Sequence, residues 1–392
     1  MKLLTKLADQ YRQDPLRALA LNAMAAQTPL NERSVQTLRA TSPEKVIEFA
    51  KRNEIGPIIA KAILDHPACD DLAGRDLWQE IYDASHRRMT ILMDTLDRVA
   101  NKFAEADIPL VGLKNAGIAR GIYPDPAACP MGDLDVLIPR KPFLEAHALL
   151  LEMGFVLETR STVEPAELQA AFEGGGTEYR KEVDGETVWF ELQWRPVAGR
   201  WIRAEQEPSG DDLIADAVTI EDSNVLLLEP TANLLQVSLH TAKHTYVRAP
   251  GLRLHTDVDR IVAYADPDWE KFVAWVKRIE VITAVYFSLA LSKALLGTDI
   301  PDWVLRELQP PRWKRELIAR WLQKADIFEP NEKKFNRAEM IGFHTLLYDD
   351  AAGFTASVFD TDKDHLTLQE LPQNLRRGAS RVADLLTRYD SN

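Results

Sequence analysis

A chain of 392 residues with 46% apolar and 27% charged residues has the make-up of an ordinary globular protein, long enough for two or three domains. Its net charge of −13 argues against a broad nucleic-acid footprint and excludes duplex DNA as an expected partner, because neutralising phosphates takes clustered Lys and Arg. Two cysteines, Cys69 and Cys129, with neither zinc nor disulfide spacing, fit a reducing, cytoplasmic compartment. The N-terminal segment reaches Lys6 and Asp9 too early to form a signal-peptide core. The longest uncharged apolar run, Val281 to Ser292, is too short to span a bilayer and reads as a buried helix.

From Lys2 to about Asp107 the pattern is helical. Leu77, Ile81, Leu92, Leu96 and Val99 recur at helical spacing and predict one long helix from about Asp76 to Glu105. The apolar run Ile108 to Leu113 then predicts a strand, Asn115 to Ile122 a helical turn, Asp133 to Ile138 a second strand, and Lys141 to Met153 a helix. Thr177–Val183 and Thr187–Arg195 are β-rich runs joined at Asp184-Gly185, a dipeptide suited to a type I′ hairpin turn. After about Val218 helical periodicity returns almost to the end of the chain, with Pro230 placed at the first turn of a helix reaching about Tyr246. The expected class is α+β: an N-terminal helical region (1–107), a small mixed-sheet core (108–217) and a C-terminal helical domain (218–392).

Chemistry concentrates in Gly132-Asp133-Leu134-Asp135-Val136-Leu137-Ile138. On a strand, residues i and i+2 share a face, so Asp133 and Asp135 stand side by side, roughly 6.5–7 Å apart at Cα, while Leu134 and Val136 face a core. Two carboxylates so placed suit hard cations such as Mg²⁺. Paired ions roughly 3.5–4 Å apart can clamp the attacking and leaving oxygens of a phosphoryl transfer. The tripeptide alone also suits the solvated acidic face of a half-buried strand. Gly132 before it permits close backbone approach. A third acid, Glu191, lies in a strand where it shares a face with Gln193 and Arg195, while Phe190, Leu192 and Trp194 face the core.

The ordered motifs Leu113-Lys114, Ile122-Tyr123-Pro124-Asp125-Pro126, Pro130 to Ile138, Glu191-Leu192-Gln193-Trp194, Leu239 to His244 and Thr256 to Val262 resemble a family of uncharacterised bacterial nucleotidyltransferases related to the DNA polymerase β-like superfamily. The resemblance covers about residues 110 to 262. It implies a polymerase-β-like core in which Asp133, Asp135 and Glu191 bind Mg²⁺ or Mn²⁺, with Glu191 either a ligand or a base. It also implies that Lys114 approaches the triphosphate of an NTP beside Gly132. His240, Lys243 and His244, with Asn233 and Gln236 on one helical face, would reach the nucleotide or the acceptor; without the resemblance they read as an exposed face. Asp257 would orient that helix. Three positions depart from the family pattern: Asn115 replaces Gly, Cys129 replaces Arg, and Gln193 replaces His. The missing Arg removes a phosphate ligand for which Arg120 or Arg195 could substitute.

Gly174-Gly175-Gly176 leads into a strand and so lacks the helix N-terminus of a phosphate loop. His240 and His244 have zinc-helix spacing, but no Glu follows His240 and no third ligand is evident. Asp360-Thr361-Asp362-Lys363-Asp364 begins like a calcium loop, yet His365 and Leu371 occupy its Gly and Glu positions. The implied reaction moves an NMP from an NTP to a sugar, peptide or protein acceptor with release of pyrophosphate. A catalytically silent nucleotide-binding or interaction module is the alternative, and a two-metal phosphohydrolase a weaker third.

Overall fold

The structure, a computed structural model, describes residues 2–27, 30–158, 168–197, 206–329 and 335–350. The calcium-loop-like run at 360–364 lies outside the described residues, as does the rest of the chain after 350. Among the described residues the helices before the first strand are α1 (Lys2–Tyr11), α2 (Pro15–Met24), α3 (Glu32–Ala40), α4 (Pro43–Arg52), α5 (Gly56–Leu64) and α6 (Arg75–Ala104). Their boundaries follow local chemistry. Asp14 accepts from the Leu16 and Arg17 amides with Pro15 in the first turn of α2, and Asn31 accepts from the Ser34 amide at the start of α3. The long α6 buries Trp78, Met89, Leu92, Leu96, Val99 and Phe103 along one stripe.

Next come β1 (Leu110–Gly112), α7 (Lys114–Gly121), β2 (Asp133–Leu137), α8 (Phe143–Glu152), β3 (Val156–Leu157), α9 (Leu168–Gly174), β4 (Gly176–Val183), β5 (Glu186–Gln193), α10 (Gly210–Ala215), β6 (Val218–Thr219) and β7 (Val225–Leu227). They form one seven-stranded mixed sheet in the order β3-β4-β5-β2-β1-β7-β6. The β4–β5 hairpin turns where the sequence predicts, with Asp184 at φ 51 and Gly185 at φ 82, the left-handed pair that a type I′ turn needs. The central pairing joins β2 and β5 in parallel, with Asp135 beside Glu191. Beyond the sheet lie α11 (Pro230–Lys243), α12 (Arg253–Tyr264), α13 (Trp269–Arg278), α14 (Ile282–Leu296), α15 (Asp302–Glu307), α16 (Arg312–Lys324) and α17 (Arg337–Leu347). The class is the α+β expected.

One expectation needs amending. The sheet does not stop at residue 217: β6 and β7 extend it into the segment read as wholly helical. Strands of two and three residues are too short to show alternation, and Val225-Leu226-Leu227 reads equally as part of a helix. The apolar run from Val281 does form a helix, α14, buried nearly all round against α11 and α12. Among the described residues no helix is long and apolar enough to cross a membrane.

The helices that follow the sheet hold one another through hydrogen bonds as well as apolar packing. Ser288 Oγ on α14 donates to Ser238 O on α11 at 2.6 Å, and Ser292 Oγ donates to His255 O on α12 at 3.1 Å. His255 is fully buried, with Nε2 3.0 Å from Tyr246 O and Nδ1 without a partner. Burial pushes this imidazole down to about 4, from an ordinary value near 6.5. The unfolded chain therefore takes up a proton near pH 6.5 that the folded chain refuses until about pH 4. His255 contributes stability that is complete above pH ~6.5 and is lost as pH falls toward 4, on the order of 2–3 kcal/mol in all. Thermal melts at pH 7.5, 6 and 5 should fall steadily, and His255→Gln should flatten that slope.

Helix α7 lies unusually close to β1. A Cβ at Gly117 would stand 2.5 Å from Gly112 O, closer than any real contact, so only glycine lets α7 start where it does. Gly117→Ala should destabilise the protein by about 2 kcal/mol in denaturant unfolding. Restoring that stability with compensating mutations elsewhere should leave the site on α7 displaced and its activity low.

Candidate active site

The loop that delivers β2 is clamped from two sides. Asp125, in the Tyr-Pro-Asp-Pro motif, turns the chain by accepting from the Ala127 amide at 3.0 Å. Its other oxygen accepts from Tyr82 of α6 at 2.9 Å and pairs with Lys61 of α5 at 3.1 Å. From the opposite side Arg260 of α12 donates to Ala128 O at 2.7 Å, reaches Cys129 Sγ at 3.1 Å and stacks over Tyr123 at 4.3 Å. Arg253, also on α12, donates to Pro130 O and pairs with Glu54 between α4 and α5. The motif thus fixes where Gly132 ends and Asp133 begins.

Asp133 and Asp135 project from β2 and Glu191 from β5. One carboxylate oxygen from each lies within 4.8 Å of the others. The parallel register explains this, because Asp135 and Glu191 are direct neighbours on one face, while Leu134, Val136, Phe190 and Leu192 fill the core behind. Lys114, the first residue of α7, places Nζ 2.6 Å from Asp135 Oδ1 and 3.8 Å from Glu191 Oε2. The three side chains are 14%, 7% and 21% exposed, so this ion pair is buried. Lys114 holds φ at 50, a left-handed backbone costing about 1 kcal/mol for a residue with a side chain. The Leu113 amide donates to Asp135 O at 2.9 Å, tying the start of α7 to the strand it serves. No side chain caps α7, which leaves its N-terminal amides for another acceptor.

Burial pushes the Asp135 carboxyl well above the usual range, Glu191 and Asp133 push it further, and Lys114 opposes them. On Lys114 burial acts the other way, but Asp135, Glu191 and Asp133 outweigh it and hold the ammonium charged. With all three carboxylates ionised and Lys114 charged the cluster carries a formal charge of −2, a state that burial and mutual repulsion oppose until a cation offsets it. Hard oxygen donors at this spacing with that residual charge fit a divalent cation such as Mg²⁺.

Gln193, where the family pattern has His, donates from Nε2 to Asp135 Oδ1 at 3.1 Å. It therefore orients the carboxylate. Cys129 is buried beneath Arg260, and burial raises its thiol to about 12, so this position faces the interior. Neither arginine offered in compensation is free: Arg120 pairs with Asp97 at 2.9 Å and Arg195 with Glu207. Asn115 carries a buried Oδ1 with no hydrogen-bond partner.

The α11 residues are not an exposed face. Asn233 and Gln236 are fully buried, Gln236 donating to Pro196 O at 3.1 Å, while His240, Lys243 and His244 are half-buried. The rings of His240 and His244 stack edge to face with centroids 4.7 Å apart. Burial lowers His240 well below its ordinary value, and the Lys114, His244 and Lys243 charges add to this; His244 is driven down to about 3, chiefly by burial. Both imidazoles are neutral at pH 7. Asp257 is buried with Oδ1 unpartnered, and burial raises it to about 6 against Arg260, Arg253 and Lys114.

The sequence reading missed Glu178, which is buried on β4 directly opposite Glu191. The signal was present: a two-residue turn at 184–185 pairs 183 with 186, and counting back pairs 178 with 191.

The Lys114 ammonium is what lets the three acids share their pocket. Lys114→Met should melt well below wild type in EDTA, by an amount corresponding to about 3 kcal/mol, the usual cost of stripping one partner from a buried pair. Millimolar Mg²⁺ or Mn²⁺ should recover most of that loss. A variant equally stable with and without divalent ions would contradict the electrostatic account.

No curated protein and no solved structure matches the chain. The model of one family, described as uncharacterised nucleotidyltransferase, matches residues 39–297, from the end of α3 to the end of α14 and including every residue of the carboxylate site. The protein belongs to that nucleotidyltransferase family.

Proposed function

We propose that the protein transfers a nucleoside monophosphate from an NTP to a hydroxyl or phosphate acceptor on a sugar, peptide or protein, releasing pyrophosphate. The observation that carries this reading is the meeting of Asp133, Asp135 and Glu191 with Lys114 across two parallel strands and the start of α7. Membership of a nucleotidyltransferase family supports it. The likeness of the motifs to polymerase-β-like enzymes gives the assignment of roles.

In this reading Asp133, Asp135 and Glu191 hold Mg²⁺ or Mn²⁺, whose positive charge would polarise the phosphate oxygens and lower the proton affinity of an attacking hydroxyl. Glu191, the most open of the three residues measured around the ion pair, takes the proton of the incoming hydroxyl. Lys114 stands at the junction of β1 and α7, where its charge and the uncapped amides of α7 meet the triphosphate beside Gly132 and stabilise charge as it develops. Gln193 keeps Asp135 in one rotamer. His240, Lys243 and His244, at the C-terminal end of α11, contact nucleotide or acceptor in this reading. The neutral state of the two imidazoles suits hydrogen bonding to ribose or base as well as to phosphate. Asp257, on α12, orients the histidine helix α11 without touching the reacting atoms.

The second reading, a nucleotide-binding module without turnover, draws on one observation. Lys114 and Gln193 both donate to Asp135 Oδ1, the oxygen that a cation would need.

Calorimetric titration of the four NTPs with Mg²⁺ separates these readings when it is run with a pyrophosphate-release assay. Wild type should bind at least one NTP only when the ion is present, and Asp133→Asn/Asp135→Asn should bind it at least tenfold more weakly, a difference of about 1.4 kcal/mol or more. Binding without pyrophosphate release across acceptor mixtures would favour the silent module. A folded wild type that binds no NTP would end both.

A further inference from the structure

A cavity of about 430 Å³ lies between the N-terminal helices α4, α5 and α6 and the Pro130–Gly132 loop. Its wall includes Gly132, the residue directly before Asp133, so it borders the carboxylate site along the chain itself. None of Lys114, His240, Lys243 or His244 lines it. Of the groups assigned above to the triphosphate only Gly132 borders this volume, at its edge, and the volume is that of a small-molecule site.

The cavity has two kinds of surface. Ile47, Ile81 and Met131 give it an apolar floor. Lys51, Arg88 and Arg253 bring three cations to its edge against one carboxylate, that of Glu54, in a chain whose overall charge is −13. Arg88 is engaged with Glu186, and Arg253 with Glu54 and Pro130 O. One donor remains free for a ligand: Lys51 is exposed and makes no ion pair among the described residues. Arg253 Nε is sealed from the cavity, so Arg253 contributes to this wall the charge of its guanidinium.

We infer that this cavity is an acceptor subsite for a small organic anion, a phosphate or carboxylate group carried on an apolar body. The anionic group meets Lys51 in the field of the Arg253 charge, and the body lies on Ile47, Ile81 and Met131. The word acceptor rests on the nucleotidyl-transfer reading, whereas the anion site itself does not. Cationic residues concentrated here in an otherwise acidic protein would draw such a ligand and repel cationic ones. Because Arg253 also fixes Pro130, an occupant engaging it bears on the loop that positions Asp133.

Two probes distinguish the anionic group, phenyl phosphate and benzoate; inorganic phosphate and benzyl alcohol are single-feature controls. Binding to the full-length protein is followed by calorimetry or ligand-observed NMR. At least one of the two probes should bind with a Kd of about 10 mM or tighter, and both controls should bind more weakly. Lys51→Glu, a surface change that leaves the fold intact, should weaken the bound probe roughly tenfold. Ile47→Trp, which fills the floor, should remove binding while leaving the melting temperature near that of wild type. The inference is overturned if neither probe binds, if inorganic phosphate binds as well as phenyl phosphate, or if the bound probe holds equally to wild type and both variants. Mg²⁺-dependent NTP binding by wild type, measured alongside, reads the nucleotide site separately. Its failure removes the transfer reading and leaves the anion pocket standing, and failure of the probes alone removes only the pocket.

Discussion

Like charges crowded into a dry space set the terms for the rest of this molecule. With carboxylate oxygens of Asp133, Asp135 and Glu191 all within 4.8 Å of one another, each pair repels by about 3 kcal/mol at an effective dielectric of ~20. A fold that keeps them together must supply counter-charge and hold the backbone rigid against their separation. Lys114 supplies the first, at the expense of a left-handed backbone. The parallel β2–β5 ladder, backed by a fully apolar core face, supplies the second. Acids held together in this way are the donor set that a divalent cation would stabilise.

Motifs outside the carboxylates acquire meaning from this constraint. Asp125 does no chemistry; it is the peg by which α5 and α6 hold the loop entering β2. Arg260 performs the matching task from α12, lying over Tyr123 and against Cys129. The replacement of Arg by Cys at 129 therefore alters the packing beneath a clamp. Asp259 acts similarly at a distance, accepting from the Ala26 amide and from Thr298 Oγ1, both at 2.7 Å. The helical regions on either side of the sheet are thus a continuous frame around it.

Much of this was legible in the sequence, and the limits were physical. Alternation around Asp133 and Asp135 located β2 and its acidic face, and Asp184-Gly185 fixed the hairpin and, through its register, the partner of Glu191. The parallel adjacency of β2 and β5 was not readable, since more than fifty residues separate them and no local rule sets a long-range parallel register. The resemblance of the motifs grouped Glu191 with the two aspartates but gave no register, which the structure supplies. The spacing of Asn233, Gln236, His240 and Lys243 looked like a solvated stripe, because a helix packed on several sides still carries polar residues wherever it meets a polar cleft. The left-handed Lys114 left no trace in the sequence, where any lysine after a strand looks alike. The cavity beside Gly132 was equally silent, its walls being drawn from four separate stretches of chain.

The opening helices of the chain are fastened to its later ones. Arg12 donates to Ala294 O and Leu295 O at 3.0 and 2.9 Å, Arg17 pairs with Asp326 at 2.6 Å, and Tyr11 sits edge-on to Phe328. During synthesis, α1 must wait for partners made some 280 residues later before it can settle. Until then the apolar face that α1 turns to α14 and α16 stays uncovered, whereas α2 meets α3 and α5 soon after it. That interval, more than any feature of the finished molecule, is where this protein would call on chaperones.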